Sequence, residues 1–176
     1  TIKLDLWWKY KGDFIELFND SRFSEYIFCD NIEFVNLNDS IKLRNCKFKS
    51  NLCIINWLKS NIRIFRFENC IFDGNFLFAD NTEEYFIEHF IFKNCKFNWE
   101  VDFHEGIIKS LWFYNQTNMN NNQWCDFNYI TSFLGLNCDK ITFFWANINN
   151  KIFFRKKNFP QNLFFKNFFK INSYKF

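Results

Sequence analysis

The sequence predicts an all-β solenoid, a parallel β-helix whose coils are 24 or 25 residues long, and three observations carry that expectation. The first is a recurring unit, LRNCKF at 43–48, FENCIF at 67–72 and FKNCKF at 92–97. The second is an apolar residue at every second position inside each unit, which is the mark of a strand with one buried face. The third is composition. With 29 Phe and 27 Asn against 4 Gly and 1 Pro, the residue left to make turns is Asn, the next most tolerant of left-handed backbone after Gly.

Taking Cys46, Cys70 and Cys95 as position zero, five places earlier stand Ile41, Phe65 and Phe90, and three places earlier Leu43, Phe67 and Phe92. Two places later come Phe48, Phe72 and Phe97, then Leu52, Phe76 and Val101, then Ile54, Phe78 and Phe103. Every column is apolar, and the columns fall into pairs separated by one residue. A helix would space its apolar residues three and four apart, so each unit reads as short strands joined by bends. Strands repeated in register stack on their equivalents at about 4.8 Å, which lays Phe67 under Phe92 and Phe48 under Phe72 and Phe97.

Asn45, Asn69 and Asn94 fall at the bend between the first and second strands. Stacked carboxamides there can each donate to one neighbour and accept from the other, an asparagine ladder. Cys46, Cys70 and Cys95 follow as small apolar fillers of the corner, a packing role rather than a metal site. The alternating column Arg44, Glu68 and Lys93 reads as a solvated charge ladder of little energetic weight.

The pattern is clearest over 41–115 and loosens outside it. Downstream, QWCDFNYITSF at 123–133 keeps the spacing after an inserted polar loop, QTNMNNNQ at 116–123, and LGLNCDKITFF at 134–144 with ANINN at 146–150 suggests further coils. Upstream, YIFCDNIEFVNL at 26–37 alternates like strands, and TIKLDLWWKYKGDFIELF at 1–18 reads as an edge strand or helix closing one end. The solenoid is thus assigned to 1–158 and a basic aromatic cap or tail to 159–176. From Lys151 onward there are seven Lys or Arg and no acid; the chain total of +3 therefore leaves 3 − 7 = −4 for residues 1–150. After Pro160, QNLFFKNFFKI at 161–171 is expected to form a short helix whose apolar side covers the open last coil.

Catalytic chemistry does not assemble. Seven Cys with no C-x-x-C pair give neither a closed disulfide framework nor a zinc spacing, and they point to reduced thiols in a cytoplasmic compartment. No metal, cofactor or catalytic residue is expected. His104, beside Asp102 and Glu105, is read as part of a solvated bend after Phe103, with Asp80 and Glu105 at equivalent positions, and His89 as a structural histidine. Neither a phosphate loop nor an H-E-x-x-H motif occurs, and no apolar run reaches the roughly 18 residues of a membrane span.

With the units aligned, C46-K47-F48, C70-I71-F72, C95-K96-F97, C125-D126-F127 and A146-N147-I148 resemble the paired positions of degenerate pentapeptide-repeat proteins of bacteria. The resemblance implies a right-handed quadrilateral β-helix. Coils of this length, with apolar pairs on three sides, leave a three-sided β-helix equally open. The family includes protein-binding scaffolds and DNA mimics that inhibit topoisomerases, and a chain at +3 lacks the negative surface that mimicry needs. The functional expectation is a noncatalytic scaffold presenting an extended face to a macromolecule, foremost a protein, with oligomerisation also open. Arg155, Lys156, Lys157, Lys166 and Lys170 are the candidate contacts, to a membrane surface or nucleic acid if the tail is free. A second expectation is a carbohydrate-binding or carbohydrate-processing β-helix that stacks sugars on Trp57, Trp99 and Trp112.

Overall fold

The computed structural model describes residues 2–5, 26–28, 32–35, 41–56, 61–80, 86–115, 125–154, 162–166 and 171–175. They form β1 (Ile2–Asp5), β2 (Tyr26–Phe28), β3 (Ile32–Val35), β4 (Ile41–Arg44), β5 (Cys46–Phe48), β6 (Leu52–Asn56), β7 (Asn61–Glu68), β8 (Ile71–Phe72) and β9 (Phe76–Asp80). The chain continues through β10 (Phe86–Lys93), β11 (Lys96–Phe97), β12 (Val101–Tyr114), β13 (Cys125–Phe127), β14 (Thr131–Phe133), β15 (Leu136–Phe144), β16 (Ala146–Phe154), β17 (Asn162–Lys166) and β18 (Ile171–Lys175). Each pairs in parallel with its equivalent in the next coil, so the molecule is an all-β parallel solenoid. No helix occurs among the described residues, and none is long and apolar enough to cross a membrane.

Three ladders run along the solenoid. The first stacks β4, β7, β10, the later part of β12, β15 and β17. The second stacks β2, β5, β8, β11, β13 and the start of β16. The third runs from β1 through β3, β6 and β9 to the start of β12, then β14, the end of β16 and β18. The first ladder itself bends, because Asp139 and Lys140 both lie outward between buried Cys138 and Ile141, and the successive buried pairs Leu111/Phe113, Cys125/Phe127, Thr131/Phe133 and Leu136/Cys138 give that coil four sides.

Phenylalanine suits this interior because the rise per coil matches the spacing of stacked rings. In the column Phe48, Phe72, Phe97 and Phe127, successive centroids lie 5.2, 4.8 and 5.0 Å apart with rings within 16° of parallel. The column Phe67, Phe92, Phe113 and Phe143 repeats this at 5.3, 5.0 and 5.1 Å. Between columns the rings meet edge to face, as Phe67 and Phe72 do at 5.3 Å and 80°. Both arrangements favour the aromatic quadrupole, and deleting one buried Phe costs about 3–5 kcal/mol.

The bends are of two kinds. Asn45, Asn69 and Asn94 hold φ of 53°, 54° and 52° between the first and second ladders, and Trp145 holds 55° at the equivalent place in a later coil. Between the second and third ladders the chain closes on itself at Gly74, where a Cβ would stand 2.4 Å from the Ser50 carbonyl carbon and 2.7 Å from the Asn51 nitrogen.

Two expectations are corrected. Residues 101–114 are extended throughout, and His104 follows Phe103 as an exposed residue at the register shift where the chain rounds its corner. A register shift between Phe103 and Glu105, followed by Gly106 at φ 141°, carries extended backbone round from the third ladder to the first. In the same register Glu105 pairs with Ala79, not with Asp80. The helix expected over 161–171 is replaced by β17 and β18, which extend the solenoid by pairing with β15 and β16. The Phe doublets there fit a strand as well as a helix, and the open edge of β15 supplies hydrogen-bond partners that only a strand can use.

Candidate functional site

The outer face of the first ladder divides into a charged end and an aromatic end. Outward positions alternate with core ones, so Lys42 and Arg44 on β4 stand beside Arg66 and Glu68 on β7, their Cα partners. All three cations converge on Glu68, whose side chain is only 8% exposed: Arg44 Nε donates to Oε2 at 2.5 Å, Lys42 Nζ lies 3.4 Å away, and Arg66 reaches Oε1. Burial alone would raise the carboxyl, but the charge of Arg66, the hydrogen bond from Arg44 and the nearby Lys42 outweigh it and hold Glu68 below the usual range. The column read as a solvated ladder therefore contains a nearly buried carboxylate. Arg66 also donates from Nη2 to the Tyr114 hydroxyl at 2.9 Å, which links this end to the next.

Beyond it lies a trough of about 550 Å³ lined by His89, Ile91, Trp112, Tyr114, Thr142 and Phe144. They are the outward residues of β10, β12 and β15, brought side by side by the pairings Ile91 with Trp112, Trp112 with Thr142, and Tyr114 with Phe144. Lys140 closes one margin, its Nζ 4.7 Å from the Trp112 ring centroid and 5.1 Å from that of Phe164, itself 48% exposed. The Ser110 hydroxyl donates to the Glu88 carbonyl at 3.2 Å, so at 2.7 Å it accepts from His89 Nδ1. The neutral imidazole then carries its lone pair on Nε2. Trp145, the bulky residue at left-handed φ, stands next to Phe144 with ring centroids 6.1 Å apart.

The polar corner residues lie elsewhere. Asn69 Nδ2 donates to Asn45 Oδ1 at 3.1 Å, and Asn94 Nδ2 donates to Asn69 Oδ1 at 3.0 Å. Beneath them Cys46, Cys70, Cys95 and Cys125 are buried, with thiols of the first three directed at the carbonyls of Arg44, Glu68 and Lys93. Burial pushes the Cys70 and Cys95 thiols up and that of Cys125 up to about 12, while for Cys46 the bond to Cys70 and then burial act the same way. A protonated thiol in apolar packing is a poor metal ligand and nucleophile. Among the described residues no group of three or more His, Cys, Asp or Glu is placed to hold a metal ion.

A further amide ladder, outside the sequence expectation, lies at the next corner. Asn98 Nδ2 donates to Asp73 Oδ1 at 2.6 Å, Asn128 to Asn98 at 2.9 Å, and Asn149 to Asn128 at 2.7 Å. Its signal was present three places after Cys70, Cys95, Cys125 and Ala146. Next to it Trp99, 52% exposed, packs on Tyr129 at 5.5 Å. His104 is exposed on the third ladder, 3.8 Å from Asp102, and is not joined to the trough. Of the tail cations, Lys166 ends β17 opposite Phe144, while Arg155, Lys156, Lys157 and Lys170 lie outside the described residues, as does Trp57.

The fold and this face define a parallel β-solenoid with an aromatic outer trough. No protein-family model, curated protein or solved structure matches the chain.

Proposed function

We propose that the protein is a noncatalytic β-helical binding module that presents the outer face of its first ladder to a macromolecular partner. The observation that carries this reading is the trough of Ile91, Trp112, Tyr114 and Phe144 on a rigid sheet, where outward positions would ordinarily be polar. Aromatic residues grouped on one exposed face and bordered by cations have the composition of a protein-binding patch. The N-C-x-F units and the four buried pairs of a coil support kinship with the degenerate pentapeptide-repeat scaffolds of bacteria, with units of 24 or 25 residues as this chain's departure.

A photocrosslinking residue tests the reading. With p-benzoylphenylalanine at Phe144, in the trough, or at Phe153, on the third ladder, an extract of the source organism should yield a discrete adduct from position 144 only. Equal labelling from both positions would overturn the choice of face. A carbohydrate reading is favoured by one separate feature, the exposed Trp99–Tyr129 pair beside the amides of Asn98 and Asn128. A glycan array on wild type and Trp99→Ala separates the two, because sugar binding lost in that variant would place recognition at this corner.

A further inference from the structure

Resting on that reading, we infer that the occupant of the trough is an acidic peptide segment bearing bulky apolar side chains. Its aromatic or aliphatic anchors would lie over Trp112 and Phe144, and its carboxylates would meet Arg66 and Lys140. Charge supports the sign of the partner. Among the described side chains, Lys42, Arg44, Arg66, Lys93 and Lys140 face outward on this ladder against Glu68 alone, 5 − 1 = +4. The described side chains of the bordering column, Glu88, Lys109 and Asp139, contribute 1 − 2 = −1, which leaves +3 for the described side chains of this face. The rest of the chain up to residue 150 is not basic, so the positive field is local to this face.

Chemistry separates the peptide from other anions. A sugar needs several convergent hydrogen-bonding groups, and the lining supplies only the Trp112 indole N–H, the Tyr114 and Thr142 hydroxyls and His89. The Tyr114 hydroxyl is already engaged by Arg66. A single-stranded nucleic acid needs cations running alongside its stacked bases. Here the cations gather at one end of the trough, with Lys140 at its margin, which suits one or two carboxylates flanking an apolar anchor. Backbone conformation adds an independent mark: Trp145 keeps a left-handed φ that costs a bulky residue about 1–2 kcal/mol and so stays beside Phe144, where the earlier coils use Asn.

Fluorescein-labelled polymers test the inference by anisotropy against the full chain: a Glu–Tyr copolymer, Glu homopolymer, a Lys–Tyr copolymer and a mixed-sequence single-stranded oligonucleotide. The Glu–Tyr copolymer should bind at least about tenfold tighter than any of the others and weaken as salt is raised. Trp112→Ala and Lys140→Glu should each weaken it about tenfold, and the second, a change at the margin of the trough, keeps the test valid if the first fails to fold. Equal binding of the Glu homopolymer would mean selection by charge alone, and of the Lys–Tyr copolymer by rings alone; either outcome overturns the inference. So does an oligonucleotide that binds as tightly, or the absence of binding to every polymer. A discrete crosslink at Phe144 without Glu–Tyr binding would sink only this inference, whereas loss of the crosslink would sink the binding face itself.

Discussion

The two polar corners of the solenoid solve the same problem in different ways. At the first, the chain turns through left-handed backbone, so the same residue type returns in coil after coil as Asn45, Asn69 and Asn94. At the second, no non-Gly residue among those described has positive φ; Asp73, Asn98, Asn128 and Asn149 bond to one another, and Gly74 gives way to Trp99 and Tyr129 in later coils. Repetition in sequence thus tracks conformational demand more closely than it tracks hydrogen bonding.

Gly74→Ala should break that pattern most severely, because the added methyl meets the backbone of Ser50 and Asn51, which cannot yield as a side chain would. We expect a loss of about 3 kcal/mol in urea unfolding, against almost none for Trp99→Ala at the equivalent place. Asn69→Ala comes next. It removes two amide bonds and places Ala at φ 54°, a combined cost of about 2 kcal/mol. Asn69→Gly keeps the backbone and should lose about 1 kcal/mol, so the difference between the two variants isolates the conformational part. Asn98→Ala, at the corner without positive φ, should lose about 1 kcal/mol, from hydrogen bonds alone.

Trp145→Asn should move the other way, raising stability by about 1 kcal/mol by restoring the residue that the first corner prefers. The same substitution at Tyr129, at the second corner, should not.

Acid offers a finer test. The Glu68 carboxyl is lowered in the folded chain, so its contribution is complete above the unfolded glutamate value of about 4.3 and is lost as pH falls through the lower folded value. Melting temperatures of wild type should therefore fall in that window, and those of Glu68→Gln should fall less. The smallest effect concerns thiols. A disulfide reagent at neutral pH should leave Cys70, Cys95 and Cys125 unmodified until unfolding, while the partly exposed Cys53 reacts in the native state.

The sequence made the coils legible because the core columns and the first corner constrain residue type in every unit. Stacked Phe and left-handed Asn leave few substitutes. The trough was hidden for the opposite reason: Ile91, Trp112 and Thr142 share a column without sharing chemistry, and only the register of β10, β12 and β15 shows them to be neighbours. Trp112 stands out in the sequence as an aromatic, but its partners do not. Glu68 misled because alternation of charge says nothing about depth; three cations around one carboxylate bury it in a way that a one-dimensional pattern cannot express. The tail misled because a Phe doublet satisfies both strand and helix periods, and the unpaired edge of β15 decides between them.

The parallel ladders have a mechanical consequence. Because each coil is bonded only to the coils above and below it, the interstrand hydrogen bonds point along the solenoid axis. A pull on the two ends along that axis loads one coil's bonds at a time, in series, so the molecule should peel turn by turn at low force. A pull across the axis would shear a whole ladder at once and meet far greater resistance.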